Sequence, residues 1–401
     1  MKKKIVFMVI NMNIGGTEKA LLNMINELPN SEYDITILML EHYGGFLDSI
    51  PIEVNVIYLK EYTELKDALE KPPKTVALNL LRSGNMIIGL SFYTIYLISR
   101  VTKNKSLLFR YLLQNVPILT TEYDIAVAYA GPMDFISYFV ANKIKAKKYI
   151  QWIHFDVTKI GFNKSYASLI YNEFDHIFVV SAEGRTKLVS QLPTLQKKID
   201  TFLNIVSPKL IRQLSNEGEG FEDNFQGIRI LTVGRLSKEK GQDLAISVLS
   251  KLKDNGFNVR WYCIGDGNAR SEYQNLIKKY GIENDFILLG AITNPYPYMK
   301  QCDIYVQPSR HEGYCITLSE ARCFSNPIIS VNFAGAFEQI DHNNTGLIIN
   351  FSSTQLYNAL TLLMNNETLR LKIKRNLEKE IINTAEEIEK LNVIFDLVWE
   401  L

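Results

Sequence analysis

The 401-residue chain has little cysteine, and none of it early. The four cysteines are Cys263, Cys302, Cys315 and Cys323, and no pair has a CxxC or Cys/His zinc spacing. That excludes a disulfide framework and a structural zinc site, and it reads as the usage of a reduced, cytoplasmic protein. An excess of one charge is also missing: 44 Lys and Arg stand against 43 Asp and Glu, a net charge of +1. Nucleic acid is therefore not expected as a partner. Long hydrophobic runs are scarce. Met1-Lys2-Lys3-Lys4 resembles the charged start of a signal peptide, yet the run Ile5–Ile10 is shorter than the ~7–15 residues of its apolar part. It reads instead as a first buried strand with a basic foot. The uncharged stretch Ser83–Ser99 is seventeen residues long, at the low edge of the ~17–25 needed to span a bilayer. The expectation is a helix buried in the first domain. Two acid-poor basic clusters, Arg100/Lys103/Lys105/Arg110 and Lys143/Lys145/Lys147/Lys148, raise contact with an anionic membrane face as the other reading.

What is present is the balance of an ordinary globular protein, 47% hydrophobic and 22% charged. The length suits two domains. Strand-like runs at Ile5–Ile10, Ile35–Leu40, Val54–Tyr58, Ile125–Tyr129, Lys148–Ile153 and Ile177–Val180 alternate with amphipathic stretches such as Glu18–Leu28 and Glu183–Leu192. The rhythm repeats with strands at Ile228–Val233, Val259–Ile264, Phe286–Leu288, Ile304–Gln307, Ile328–Val331 and Leu347–Ile349. Helical patterns there cover Gln242–Lys253, Arg270–Tyr280, Thr317–Phe324 and Thr354–Met364. Such alternation predicts α/β architecture: two Rossmann-like doubly wound domains of parallel strands facing across a cleft. Polar Ser207–Gly227 is the predicted linker, dividing the chain into residues 1–206 and 207–384. A last helical pattern in Asn383–Leu401 carries Ile388, Leu391, Ile394, Phe395, Leu397 and Val398 on one face.

Three constellations can carry chemistry. Gly15-Gly16-Thr17-Glu18 follows the first strand and opens a helix, so backbone amides can approach a phosphate or sugar. A plain tight turn would use the same glycines, and the GxGxxG fingerprint of a dinucleotide site is absent. Gly234-Arg235-Leu236-Ser237-Lys238-Glu239-Lys240-Gly241 places Arg235 and Lys240 in one strand-to-helix loop, where two cations can hold a diphosphate. In Glu312-Gly313-Tyr314-Cys315-Ile316-Thr317-Leu318-Ser319-Glu320, two carboxylates lie eight apart across a strand-to-helix turn. Each can accept two hydroxyl hydrogen bonds, as a sugar or a ribose offers. No DxD-type acidic pair occupies a plausible metal-chelating loop, and no metal or other cofactor is expected.

Taken in order, these motifs, with Pro327 and the tail Gly335…Glu338…Gly346, resemble the family-four retaining glycosyltransferases of GT-B fold. The resemblance implies that Gly15 and Gly16 lie against the donor phosphate and acceptor, and that Gly234, Arg235 and Lys240 hold the diphosphate of a nucleotide sugar. It places Glu312 on the transferred sugar with Gly313, Tyr314, Cys315 and Ile316 beside it, and Glu320 on the ribose. His154 matches the family histidine near the donor sugar, and Asn204 the asparagine that closes the first domain. Asp266 falls in a turn near the nucleobase, and Glu338 in the later glycine-and-glutamate turn. The last helix, residues 385–401, returns to the first domain in such proteins. Departures are Cys315 where the family often has Gly, Ser325 before Asn326-Pro327, Ala334 in a frequent Gly-Gly pair, and Ile205 after Asn204. None removes a charged residue.

The expected reaction moves a sugar from a nucleoside-diphosphate sugar, with UDP the commonest in the family, to a hydroxyl of a glycan, protein or lipid-linked acceptor. The anomeric configuration is retained. The expected place is the cytoplasm, or the cytoplasmic face of a membrane. A partner subunit remains open, as do two alternatives: a non-catalytic GT-B subunit and a nucleotide-sugar epimerase.

Overall fold

The computed structural model describes residues 2–399 apart from Ile381 and Asn383, with side chains through Asp396. Its first sheet contains β1 (Lys3–Val9), β2 (Tyr33–Met39), β3 (Asn55–Tyr58), β4 (Glu122–Gly131), β5 (Lys145–Ile153), β6 (His176–Val179) and β7 (Ile199–Thr201), in the order 3-2-1-4-5-6-7. The second contains β8 (Ile228–Val233), β9 (Val259–Ile264), β10 (Phe286–Gly290), β11 (Ile304–Gln307), β12 (Ile328–Val331) and β13 (Leu347–Ile349), in the order 10-9-8-11-12-13. The named strands pair in parallel throughout. Helices cover both faces, so central strands bury every side chain: Ile5 to Val9 of β1 and all four residues of β11 and β12 are enclosed. In each sheet the strand order reverses direction beside the first strand, between β1 and β4 and between β8 and β11. A doubly wound sheet opens its binding crevice at that point, beyond the strand C-termini. The loops after β1, β8 and β11 are the three motif loops of the sequence.

The terminal helix Ile388–Trp399 packs Ile388, Leu391, Ile394 and Phe395 into the core under β1 and β2. The bounds Asn383 and Leu401 of the stretch read as that helix lie outside the described residues, as do the side chains of Leu397 and Val398. The predicted polar linker is more structured than its composition suggests. It forms a helix, Pro208–Leu214, and Asp223 accepts hydrogen bonds from Tyr262 and the guanidinium groups of Arg229 and Arg260. Those three donors pin the strap to the second domain and hold the Asp223 carboxyl at about 2, well below the ordinary range, despite the burial that works against them.

One expectation fails. Ser83–Ser99 does contribute to a helix, Met86–Thr102, but not to a buried one. Only Gly89, Phe92 and Ser99 of that helix are enclosed, while Ile87 and Val101 are each 82% exposed. The helix belongs to an excursion between β3 and β4 made of Tyr62–Glu70, Pro73–Arg82, Met86–Thr102 and Ser106–Leu112, which has a small core of its own around Val76, Ala77 and Phe92. A 17-residue helix resting on so small a core can cover one face only. Among the described residues no helix is long and apolar enough to cross a membrane.

Candidate functional site

The second domain supplies one wall. Beyond β8 the chain runs through Gly234 and Arg235 into a short turn, Lys238–Lys240, that ends at Gly241 with φ +72°. A Cβ at Gly241 would lie 2.1 Å from the Pro308 carbonyl oxygen, so only glycine lets the β8 and β11 loops meet there. Buried Gln242 donates to the carbonyls of Arg235 and Gly234 at 2.9 and 3.4 Å and fixes the loop from behind. Lys240 is thereby delivered to Glu312, with Nζ 2.6 Å from Oε1. Burial alone would lower the Lys240 pKa; the Glu312 carboxylate outweighs it and the ammonium is held above its ordinary value. Glu312 also accepts the Ser309 hydroxyl at 2.7 Å, and Ser309 accepts from Gln307 at 2.8 Å, which orients the carboxylate from below. Neighbouring Arg310 turns away, clamped bidentately on Asp243 at 2.6 and 2.8 Å.

Helix Ile316–Arg322 carries Glu320, which is 2% exposed and accepts the Tyr296 hydroxyl at 2.7 Å. Desolvation raises its pKa, and the nearby Lys19 ammonium opposes the shift. Lys19 belongs to the first domain and lies 5.2 Å from the centre of the Tyr296 ring, so it reaches across the cleft. The glycine loop meets the same wall: a Cβ on Gly15 would lie 3.7 Å from the Arg235 guanidinium, and one on Gly16 3.4 Å from Ile316. Glu18, half-buried beside Arg235, has its pKa raised by burial.

His154 directly follows β5 and is 7% exposed. Its ring stands edge-on to Tyr129 at 4.5 Å, and burial pushes its pKa down to about 3, so the imidazole is neutral. Nε2 is buried without a partner among the described residues. Gly313 presses on the same point, since a Cβ there would lie 2.0 Å from the His154 carbonyl oxygen. Beside Glu312, a cavity of about 270 Å³ opens between the domains, bounded on the far side by Asp156, Glu183 and Lys187. Asp156 accepts from Thr158 and Lys187, which together draw its pKa down against burial.

The structure therefore gathers Gly15, Gly16, Gly234, Arg235, Lys240, Glu312, Gly313, Ile316, Glu320 and His154 around one cleft. Tyr314 and Cys315 are buried in the turn between the two glutamates. Burial pushes the Cys315 thiol up to about 12, which leaves its backbone rather than its sulfur as the useful group. Three other predicted residues do different work. Asn204 donates to the Tyr314 carbonyl at 3.4 Å and ties the interdomain crossing to the Glu312–Glu320 turn. Both carboxylate oxygens of Glu338 accept amides of Ala182 and Glu183 at 3.0 Å, clamping the two domains together. Asp266 turns its half-exposed carboxylate onto its own loop and Arg270, while its carbonyl accepts the Leu236 amide. Sequence reading missed Lys19, Tyr296, Asp156 and Lys187. The first was visible as the residue after Gly-Gly-Thr-Glu; the others had no local signal.

Residues 221–380 match the family model described as glycosyl transferases group 1. A Campylobacter jejuni N-acetylgalactosaminyltransferase acting on a diphospho-undecaprenol substrate is 29% identical over 210 residues, 52% of this chain. The match spans about half of that relative, 56% of its length. An uncharacterised glycosyltransferase of Haemophilus influenzae is 22% identical over 92% of this chain and 93% of its own length. A variant of S. aureus TarM, solved with fondaparinux, alpha-GlcNAc-glycerol and UDP, superposes with a TM-score of 0.71 at 16% identity, covering 98% of this chain and 99% of that one. The two facing parallel sheets are thus the GT-B fold, and residues 221–380 are similar to the glycosyl transferases of group 1.

Proposed function

We propose that this protein is a retaining glycosyltransferase that moves a hexosyl unit from a nucleoside-diphosphate sugar, UDP being the favoured nucleotide, to an acceptor hydroxyl. The observation that carries the proposal is that Arg235, whose guanidinium faces the Gly15 turn of the opposite domain, shares its loop with Lys240, which forms a part-buried pair with Glu312. As the anomeric bond breaks, negative charge grows on the diphosphate and positive charge on the sugar ring. Arg235 and Lys240 stabilise the first, aided by amides of the Gly313–Cys315 turn. Glu312, already oriented by Ser309, accepts hydroxyls of the transferred sugar. His154 is neutral and has a free Nε2, so it can hydrogen-bond a sugar hydroxyl or the acceptor without adding charge. Glu320 would exchange its Tyr296 partner for ribose hydroxyls, and the Tyr296 ring beside Lys19 would border the nucleoside. The leaving phosphate would take the acceptor proton on the same ring face, which retains configuration. No metal or other cofactor enters the proposed step.

The acceptor proposed is a glycan or lipid-linked saccharide of the cell envelope, met by the first-domain wall of the cleft in the cytoplasm at a membrane face. The relative acting on a diphospho-undecaprenol substrate supports this choice of acceptor class. A panel of nucleotide sugars, scored for nucleoside diphosphate release and for thermal stabilisation, tests the proposal. Stabilisation by UDP together with release that depends on acceptor supports it. An epimerised sugar nucleotide, or binding without turnover under every donor and acceptor, favours the epimerase or the non-catalytic subunit.

A further inference from the structure

We infer that the helical excursion between β3 and β4 is the surface by which this protein seats itself on an anionic lipid bilayer. Helix Met86–Thr102 crosses helix Pro73–Arg82 closely at Gly89, where a Cβ would stand 3.0 Å from the Ala77 carbonyl oxygen, and its inner face is thereby used up. The outer face has nothing on it. Ile87, Leu90, Leu97, Ile98 and Val101 fall on one side of the helix, at steps of three, seven, one and three residues, and are 82, 66, 40, 44 and 82% exposed. At 1.5 Å per residue the stripe from Ile87 to Val101 is about 21 Å long, a contiguous exposed apolar strip of the kind that marks an interaction surface.

Charge selects the partner. From Lys71 to Thr121 the chain carries seven Lys and Arg and not one Asp or Glu, although the protein as a whole is nearly neutral. Arg82 at one end of the stripe and Arg100, Lys103 and Arg110 at the other have no carboxylate within ion-pair distance among the described residues. An uncharged helix flanked by free cations can lie in the headgroup layer, with the aliphatic stripe in the acyl boundary and the cations at lipid phosphates. A second copy of this chain would bring the same unpaired cations face to face. The other basic cluster of the sequence is largely engaged within the protein: Lys147 and Lys148 are paired with Asp124 and Asp175 at 2.7 and 3.1 Å, and Lys143 donates to the Val116 carbonyl.

The excursion is anchored at the cleft end of the first sheet. Lys66 pairs with Glu41 just past β2, and Lys105 with Asp134 just past β4. A bilayer against the stripe is therefore held by the first domain, through an excursion tied to the cleft end of its sheet. The docking stands on the surface alone; only the step from it to a lipid-borne acceptor rests on the transfer reading above.

The test is co-sedimentation of the full chain with phosphatidylcholine vesicles, with and without phosphatidylglycerol, at low and high salt. The unaltered protein binds the phosphatidylglycerol vesicles, less so as salt rises. Two variants, Ile87→Ser/Leu90→Ser/Val101→Ser and Arg100→Glu/Lys103→Glu/Arg110→Glu, each lose about tenfold or more in partitioning. Both keep the circular dichroism and the UDP-induced thermal shift of the unaltered protein, so a failed nucleotide reading and a failed docking surface give different results. The inference is overturned if the unaltered protein ignores phosphatidylglycerol vesicles at low salt, or if both variants bind them as well as it does. It is equally overturned if sedimentation velocity shows a dimer without lipid that the Ile87/Leu90/Val101 variant converts to monomer.

Discussion

Replacing Lys240 with Met separates the two jobs that the cation would hold, keeping Glu312 ordered and stabilising the leaving group. Its Nζ is 2.6 Å from Glu312, and the two side chains are 25% and 10% exposed. Removing one member of a buried pair costs about 3–5 kcal/mol, because the survivor is left charged and undersolvated. Glu312 keeps the Ser309 hydroxyl at 2.7 Å, and the lysine is partly wet, so the expected loss is at the low end, about 3 kcal/mol. The kinetic effect has another origin. If the ammonium acts mainly on charge that grows in the transition state, kcat falls by about 10²–10³ with a smaller change in donor KM. The double substitution Lys240→Met/Glu312→Gln removes the orphaned charge and regains most of the lost stability, but not the rate. Urea midpoints and nucleotide release measured on the same preparations decide the matter. A normal kcat in Lys240→Met, or activity that returns together with stability in the double variant, would refute the catalytic role.

Further outcomes follow from the same geometry. Glu320→Gln should raise the nucleotide Kd by about tenfold while stabilising the free protein near neutral pH. The folded pKa of Glu320 lies above its ordinary 4.5, so its ionisation is a cost at higher pH that vanishes below 4.5; denaturation curves of variant and parent should converge as pH falls toward that value. Gly313→Ala puts a Cβ 2.0 Å from the His154 carbonyl, so thermal unfolding should show a loss of about 1–3 kcal/mol, and small-angle scattering a more open pair of domains. For His154, whose folded pKa is about 3 against an ordinary 6.5, the unfolded chain takes up the proton first, and this residue lowers stability as pH falls below 6.5. Its imidazole nitrogens, followed by NMR on labelled protein, should stay neutral down to pH 5, and titration near 6 would contradict the buried placement.

The second domain was readable almost residue by residue: β8, β9, β11, β12 and β13 begin and end where short apolar runs meet turn residues. Their strands are enclosed on both faces, so burial leaves an unbroken mark in the sequence. β7 was missed, because Ile199-Asp200-Thr201 encloses a single side chain and has no run to detect. Helix Met86–Thr102 was misread for the opposite reason. An apolar helix has the same composition whether protein or something else covers it, and only the packed neighbours reveal which. The site divided along similar lines. Arg235, Lys240, Glu312 and Glu320 share loops with telling spacing, whereas Tyr296 reaches Glu320 from 24 positions upstream and Lys19 from the other domain. Glu338 fits a motif in sequence, yet its oxygens cap helix Ala182–Gln191, a partnership that no local pattern encodes.

The account turns on charge stabilisation at a departing diphosphate with the anomeric configuration kept. Proton NMR of the product formed from an α-linked UDP-sugar, run in parallel on the unaltered protein and on Arg235→Ala, tests both parts at once. The account predicts an α-linked product with one UDP released per transfer, formed about 10²–10³ times more slowly by the variant. A β-linked product, an epimerised sugar nucleotide, or equal rates from the two proteins would contradict it.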